Sequence, residues 1–366
     1  MGDTVRIPPI MMERMGGKMK NNMPAFIAAA LAVLFCMGFI CVMSVKVGGQ
    51  EGYSGMPLTF SFGGKAKLRN TIEIPLQRAD KLKLEYGSKN IKVYPGGDDV
   101  ITVKEYLYSK KGLAEVVYGS DGEVVIRGGR SRNFILFGFW AGEGERIEVY
   151  VPERSLAEFS IETKSGNITS ETDCTREDGT FSAQAGSGNI RLCGAGAKEF
   201  LLEAGSGNIR AEALSGENIS INAGSGNVHA EEITGSLTME TGSGNIDGKE
   251  LRGVVNADSG SGNIKIDGLT GSVKAEVGSG NVTVKAKEVS GGVSLSAGSG
   301  NVRLEMPEET EFHFIGDTRS GNISTDFDDA LSYDKKGKSA RGDVGQNPDI
   351  EIWAETGSGS INIVYR

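Results

Sequence analysis

Apolar and polar residues alternate over short segments of the chain, and this alternation recurs with a short period. One period is clear in the stretch 263–278. Its apolar residues are Ile264, Ile266, Leu269, Val273, Ala275 and Val277. A spacing of two residues within each segment predicts β-strands with one buried face. Glycine and asparagine accumulate between the segments, where their tolerance of positive φ favours sharp turns.

The turns carry the phrase Gly-Ser-Gly-Asn, followed by Ile or Val. Intact copies end at Asn189, Asn208, Asn227, Asn245, Asn263, Asn281 and Asn301, and degenerate copies end at Asn167, Asn322 and Ser360. The steps between consecutive intact asparagines are 19, 19, 18, 18, 18 and 20 residues. A unit of this length cannot bury its own apolar face, so the units must stack on one another.

We therefore predict an all-β fold, a single-stranded β-solenoid or β-helix with coils of about 18–20 residues. Equivalent residues of adjacent coils should form ladders spaced about 4.8 Å apart. The predicted turn and ladder residues are Asn167, Gly188, Asn189, Gly207, Asn208, Gly226, Asn227, Gly244, Asn245, Gly262, Asn263, Gly280, Asn281, Gly300, Asn301 and Asn322. Of these, Gly262 is expected to require positive φ. A series of antiparallel hairpins turning at the same phrase is the alternative architecture that the alternation permits.

The N-terminal part of the chain predicts a membrane anchor. Residues 24–45 form a run of 22 residues without charge, which is long enough to cross a bilayer as one helix. The short tail 1–23 carries four basic residues, and the chain beyond the run is mostly acidic. This asymmetry predicts a single-pass protein of the cell membrane, with a cytoplasmic N-terminus and an extracytoplasmic repeat domain.

The remaining chain divides into three segments. Residues 46–65 should be a stalk or linker, and 66–160 an irregular β lead-in region that caps the stack. Residues 161–366 should form the solenoid, interrupted by a polar loop at about 325–349. The net charge of −9 and the pI near 5.1 argue against nucleic acid as a partner, because nucleic-acid binding needs a basic surface.

Three features together resemble a known family. They are the single N-terminal apolar run, the serial S-G-N-[IV] strand repeats, and the phrase IEVYVPERSLAEFSIETKSGNI at residues 147–168. Over roughly residues 66–366 the chain resembles the DUF4097 family of β-strand-repeat proteins, which are also labelled "putative adhesins" of bacterial envelopes. The resemblance implies a surface-exposed β-solenoid. The family has no established catalytic residues, so none is transferred to this chain.

Few residues suggest a catalytic, metal-binding or redox role. The only histidines, His229 and His313, show no carboxylate or cysteine at ligand spacing, so we expect no metal site, no catalytic site and no cofactor. Cys174 and Cys193 lie 19 residues apart, about one coil, and either a disulfide or two free thiols fits that spacing.

An apolar run outside the repeats offers a second candidate surface. Its large residues are Phe134, Phe137, Phe139 and Trp140. They could form a patch that docks a partner or a hydrophobic plug over the first coil, and the need to cap a solenoid favours the plug.

The sequence favours a non-catalytic binding, adhesion or scaffold module of the cell envelope, with an envelope protein or a glycan as its partner. One alternative is an accessory or regulatory protein of envelope stress that acts through a membrane partner. The other is a β-helix enzyme acting on carbohydrates, which a carboxylate cluster on one coil face would favour.

Overall fold

A computed structural model describes residues 66–97, 99–129 and 144–366. The predicted tail 1–23, helix 24–45 and stalk 46–65 lie outside these residues, and so do Phe134, Phe137, Phe139 and Trp140. Within the described ranges, no helix is both long and apolar enough to cross a membrane.

The described part of the chain is built almost entirely from β-strands. The first twelve are β1 (Lys67–Pro75), β2 (Lys81–Tyr86), β3 (Asn90–Pro95), β4 (Val100–Leu107), β5 (Glu115–Tyr118), β6 (Glu123–Arg127), β7 (Arg146–Val151), β8 (Leu156–Thr163), β9 (Ile168–Ser170), β10 (Thr175–Ala185), β11 (Ile190–Gly196) and β12 (Glu199–Ala204). The others are β13 (Ile209–Ala223), β14 (Val228–Thr241), β15 (Ile246–Ser261), β16 (Ile264–Ser279), β17 (Val282–Ser299), β18 (Val302–Met306), β19 (Phe312–Ser320), β20 (Ile323–Thr325), β21 (Leu331–Tyr333), β22 (Ser339–Val344), β23 (Ile350–Ser358) and β24 (Ile361–Tyr365). Two short 3₁₀ helices, Leu76–Arg78 and Asp328–Ala330, complete the set.

Successive coils pair in parallel and in register. β14 pairs with β15 so that Val228 lies opposite Ile246, and β15 pairs with β16 so that Ile246 lies opposite Ile264. The same parallel pairing runs from β8 to β18. The predicted β-solenoid is therefore confirmed, and the hairpin alternative is wrong because hairpins would pair antiparallel.

Each central coil bends at the same places. The fifth residue after the turn asparagine is left-handed in five consecutive coils, at Gly194, Ala213, Glu232, Glu250 and Gly268, with φ between 51° and 83°. Three positions later, φ is again positive at Gly235, Gly253 and Gly271. The three non-glycine residues in left-handed conformation each cost on the order of 1 kcal/mol, which the stacking must offset.

The core is a narrow column of ladders. In the coil that follows Asn227, the buried residues are Val228, Ala230, Ile233, Leu237, Met239 and Thr241. Near the N-terminal end, Phe159, Phe181 and Phe200 stack from coil to coil, with ring centroids 5.7 Å and 6.1 Å apart. Burying one such apolar side chain contributes about 1.5–3 kcal/mol, so adjacent coils stabilise one another.

The repeat begins earlier than the sequence predicted. β2 and β3 meet at the phrase Gly-Ser-Lys-Asn, which ends at Asn90, and they pair in parallel with β8 and β9. Region 66–160 therefore contains complete coils and is not simply an irregular lead-in. This copy was missed because its third residue is Lys89 where the intact phrase has glycine. In the outermost coil, β6 ends at Arg127 and β7 begins at Arg146, so the spacing between these two strands is longer than in the other coils.

The C-terminal coils are not stacked in chain order. β23 pairs in parallel with β17 on one side and with β19 on the other. β24 likewise lies between β18 and β20. The last coil of the chain is thus inserted between two earlier ones, and β19 with β20 forms the terminal coil.

Antiparallel strands cover edges at both ends of the stack. At the N-terminal end, β4 pairs with β7, β1 with β4, and β5 with β6. At the other end, β22 covers β19 and β21 pairs with β22. The predicted polar loop at about 325–349 is therefore wrong in part, because it folds as a short 3₁₀ helix and a β-hairpin. Such coverage removes an exposed parallel edge that could pair with other chains.

Candidate functional site

The turn asparagines form one continuous ladder. In each coil the asparagine backbone N–H donates to the side-chain Oδ1 of the asparagine one coil earlier, at 2.8–3.0 Å. The members in spatial order are Asn90, Asn167, Asn189, Asn208, Asn227, Asn245, Asn263, Asn281 and Asn301. Ser360 continues the ladder onto Asn301 at 2.9 Å, and Asn322 then donates to Ser360 Oγ at 3.4 Å. The turn phrase is therefore a device for holding adjacent coils in register.

The second glycine of the phrase is required by the close approach of adjacent coils. A Cβ at Gly262 would lie 1.9 Å from the carbonyl oxygen of Gly244 in the preceding coil. The equivalent distances at Gly188, Gly207, Gly226, Gly244, Gly280 and Gly300 are 1.7–2.0 Å. The expectation of positive φ at Gly262 is wrong, because Gly262 is not among the residues with positive φ.

Buried hydroxyl groups support some of these turns from inside. The Thr241 hydroxyl donates to the Gly226 carbonyl at 2.8 Å and accepts from the Gly244 N–H at 3.0 Å. Ser259 donates to the Gly244 carbonyl at 2.9 Å one coil later. These bonds satisfy polar groups that the turns bury.

A row of carboxylates and amides runs beside the glycine turns on the strand that precedes each turn. Register partners along this row are Glu85, Glu162, Gln184, Glu203, Asn222, Glu240, Asp258, Glu276, Ser296, Glu355 and Asp317. Its members repeat once per coil, about 4.8 Å apart. We call this set the acidic row.

The acidic row is poorly neutralised in its middle. Glu85 pairs with Arg127 at 2.8 Å, and Glu276 pairs with Lys274 at 3.0 Å. Between them, Glu162, Glu203 and Glu240 form no salt bridge with any described residue, and neither does Asp258. The neutral amides Gln184 and Asn222 separate Glu162, Glu203 and Glu240. Like charges lie directly opposite each other at Glu240 and Asp258, where such a pair is destabilising.

An open groove of about 530 Å³ lies along the acidic row. Its lining includes Glu162, Gln184, Glu203 and Asn222, the first glycines of three turns, and one cation, Lys164. A second, smaller groove of about 180 Å³ contains Glu240, Asp258 and Glu276. Both grooves therefore present oxygen acceptors at a regular coil spacing.

The sequence profile of the family described as Toastrack DUF4097 matches residues 79–259 and 254–364. The chain belongs to the DUF4097 family. The match includes the acidic row from Glu85 to Glu355 and the whole asparagine ladder. No curated protein sequence matches the chain.

Two solved structures are similar to this DUF4097 chain. One is a "putative cell adhesion protein" from Clostridium sporogenes, with 13% identity, covering 81% of this chain and 98% of its own, at a TM-score of 0.25. The other is a "putative adhesin" from Bacteroides fragilis, with 13% identity, covering 82% of this chain and 100% of its own, at a TM-score of 0.28.

A second cluster of polar side chains lies on the opposite side of the glycine turns from the acidic row, near the start of β14 and β15. His229 Nε2 is 3.0 Å from Glu231 Oε2, and His229 Nδ1 is 3.2 Å from Asp247 Oδ2. The hydrogen bond between His229 and Glu231 holds the pKa of Glu231 below its ordinary value. The expectation that no carboxylate stands at ligand spacing from His229 is therefore wrong.

The cysteines of the DUF4097 domain are free thiols in this structure. Cys174 is buried, and burial raises the pKa of its thiol to about 12. Cys193 is half-buried and lies opposite Glu212 in the next coil. Of the two alternatives that the spacing permitted, the structure therefore has the free thiols. Because its raised pKa keeps Cys174 in the protonated thiol form, which is a poor nucleophile, a nucleophilic role for Cys174 is disfavoured.

Proposed function

We propose that this protein is a non-catalytic binding or adhesion module that holds an extended ligand along the acidic row. The observation that carries this proposal is the repetition of oxygen acceptors, once per coil, along an open groove in which the carboxylates form no salt bridge with a described residue. A ligand with hydroxyl or ammonium groups would donate hydrogen bonds to several coils at once. Donation to carboxylates gives stronger bonds than donation to neutral acceptors.

The repetition favours binding over catalysis. Catalytic carboxylates need environments that separate an acid from a base. Glu162, Gln184 and Glu203 instead occupy equivalent positions in successive coils, and the row continues beyond them in the same manner. A repeated surface suits a polymer such as a glycan, or an extended protein segment of the envelope.

The cellular setting in this proposal comes from the sequence alone. The apolar run at residues 24–45 would anchor the module in the cell membrane, and its basic flank would remain in the cytoplasm. The acidic row would then face the exterior, where envelope glycans and proteins are available.

A charge reversal in the groove tests the proposed function. The full chain and its Glu203→Lys variant would be applied to a glycan array and to envelope extracts. We expect the captured ligand to bind the variant at least about 10-fold more weakly, because a central acceptor becomes a cation. The matched control is Glu288→Lys, the same charge change at an exposed residue outside the groove. The proposal would be contradicted if both variants lost ligand binding equally, or if the unmodified chain turned over a polysaccharide.

A further inference from the structure

The His229 cluster gathers three ligand atoms from two adjacent coils. The carboxylates of Glu212 and Glu231 and the imidazole of His229 each offer one atom, and these atoms all lie within 4.8 Å of one another. Within this set, the distance from His229 Nε2 to Glu231 Oε2 is 3.0 Å. Ligand atoms around a tetrahedral zinc ion lie roughly 3.4 Å apart, given metal–ligand bonds of about 2.0–2.2 Å. All three atoms would surround one ion if the wider separations, which are at most 4.8 Å, closed to about 3.4 Å and the 3.0 Å pair opened slightly.

The two nitrogens of His229 each face a carboxylate. A neutral imidazole has a single N–H, so it can donate to only one of them. If Nδ1 donates to Asp247, the lone pair of Nε2 points at an oxygen of Glu231. In that tautomer, a cation between Nε2 and the two glutamates would take the place of the proton that otherwise joins His229 to Glu231. A carboxylate that holds the other imidazole nitrogen is also the usual arrangement behind a metal-ligating histidine.

Two arginines neutralise these glutamates in this structure. Arg210 donates from Nε to Glu212 at 2.5 Å, and its terminal nitrogen lies 3.6 Å from Glu231. Arg191 also reaches Glu212, at 2.9 Å. The Arg210 side chain is 44% exposed, so it can leave for solvent at little cost. Arg210 therefore neutralises these carboxylates when no metal is bound, and a metal ion that binds them would displace it.

We propose that Glu212, His229 and Glu231 form a binding site for a divalent transition-metal ion of the zinc type. Asp247 orients the imidazole, and Arg210 competes with the metal for the glutamates. The nitrogen ligand selects such ions over calcium and magnesium, which prefer all-oxygen sites. The site lies apart from the acidic row and does not depend on the proposed function.

Zinc titration of the full chain tests this site. After chelator treatment, calorimetry with zinc alone should show one bound ion that excess calcium does not displace. His229→Gln should weaken zinc binding by at least about 10-fold, because it removes the nitrogen ligand. Arg210→Gln should strengthen binding several-fold, because it removes the cation that contacts both glutamates and leaves only Arg191 on Glu212. The control is His313→Gln, which should leave zinc binding unchanged, since His313 is exposed and hydrogen-bonds Asp343 at 2.7 Å away from the proposed site.

The His229 variant separates a built site from general attraction to acidic groups, because it removes the nitrogen ligand and leaves every carboxylate in place. Both His229→Gln and Arg210→Gln change partly exposed side chains, and unchanged circular dichroism would show that the fold is kept. The proposal is overturned if the unmodified chain binds no zinc, or if His229→Gln binds zinc as tightly as the unmodified chain does.

Discussion

Gly262→Ala is expected to destabilise the stack by about 3 kcal/mol or more, although it adds a single methyl group. The new Cβ would lie 1.9 Å from the Gly244 carbonyl oxygen. That oxygen belongs to the backbone of a coil held by its neighbours on both sides, so it cannot move away alone. Thermal and urea denaturation followed by circular dichroism would measure the loss, expected as a decrease in Tm on the order of 5–10 °C.

Two further variants identify the physical cause. Gly262→Asn should lose as much stability as Gly262→Ala, because asparagine tolerates positive φ but still has a Cβ. The control is Ser261→Ala in the same turn, where the side chain is exposed and the expected change is within about 0.5 kcal/mol. Rescue of stability by asparagine would show that backbone conformation, and not the spacing of the coils, requires glycine at Gly262.

Ile352→Ala is expected to cost about 2–5 kcal/mol, as much as Ile221→Ala in the middle of the stack. Ile352 lies in β23, near the end of the sequence, and it is completely buried. It packs between coils because β23 pairs with both β17 and β19. Denaturation would measure the stability, and native-state hydrogen exchange would show whether β23 is protected.

The inserted position of β23 and β24 is what makes this effect large. Stability in a repeat protein is a sum over adjacent units, and a terminal coil with one neighbour opens most easily. An outward-facing change on the same coil, Val364→Ala, should have little effect and serves as the control. Two results together would place this coil at the end of the stack. They are fast amide hydrogen exchange throughout β23 in the unmodified protein, and a loss of unfolding free energy below about 1 kcal/mol for Ile352→Ala.

The central coils could be predicted from the sequence because each one contains every feature that defines the repeat. Alternation, the glycine turn and the asparagine recur there without interruption, so Asn227 and Asn245 could be assigned to one ladder. The coil of β2 and β3 was missed because the phrase is altered at Lys89. The insertion of β23 could not be predicted, because spacing along the chain gives no information about the order in which coils stack.

The candidate sites were missed for a different reason. Glu231 is two residues after His229, and in a strand that spacing places both side chains on one face. Glu212 and Asp247 lie 19 residues before Glu231 and 18 after His229, so aligning the repeats would have brought all four residues together. The acidic row was missed likewise, because its members are scattered along the sequence and meet only when coils are compared by position.

Both proposed sites depend on the parallel register of adjacent coils, and disulfide trapping measures that register directly. In a chain whose four native cysteines are replaced by alanine, cysteines would be introduced at Glu240 and Asp258. These residues are partners in adjacent coils, with Cα atoms about 4.8 Å apart, within the range that a disulfide spans. The solenoid predicts rapid oxidation of this pair and none between cysteines at Glu240 and Asp247. Bonding of the Glu240 and Asp247 positions instead would indicate a hairpin at the glycine turn and would contradict the stacked architecture.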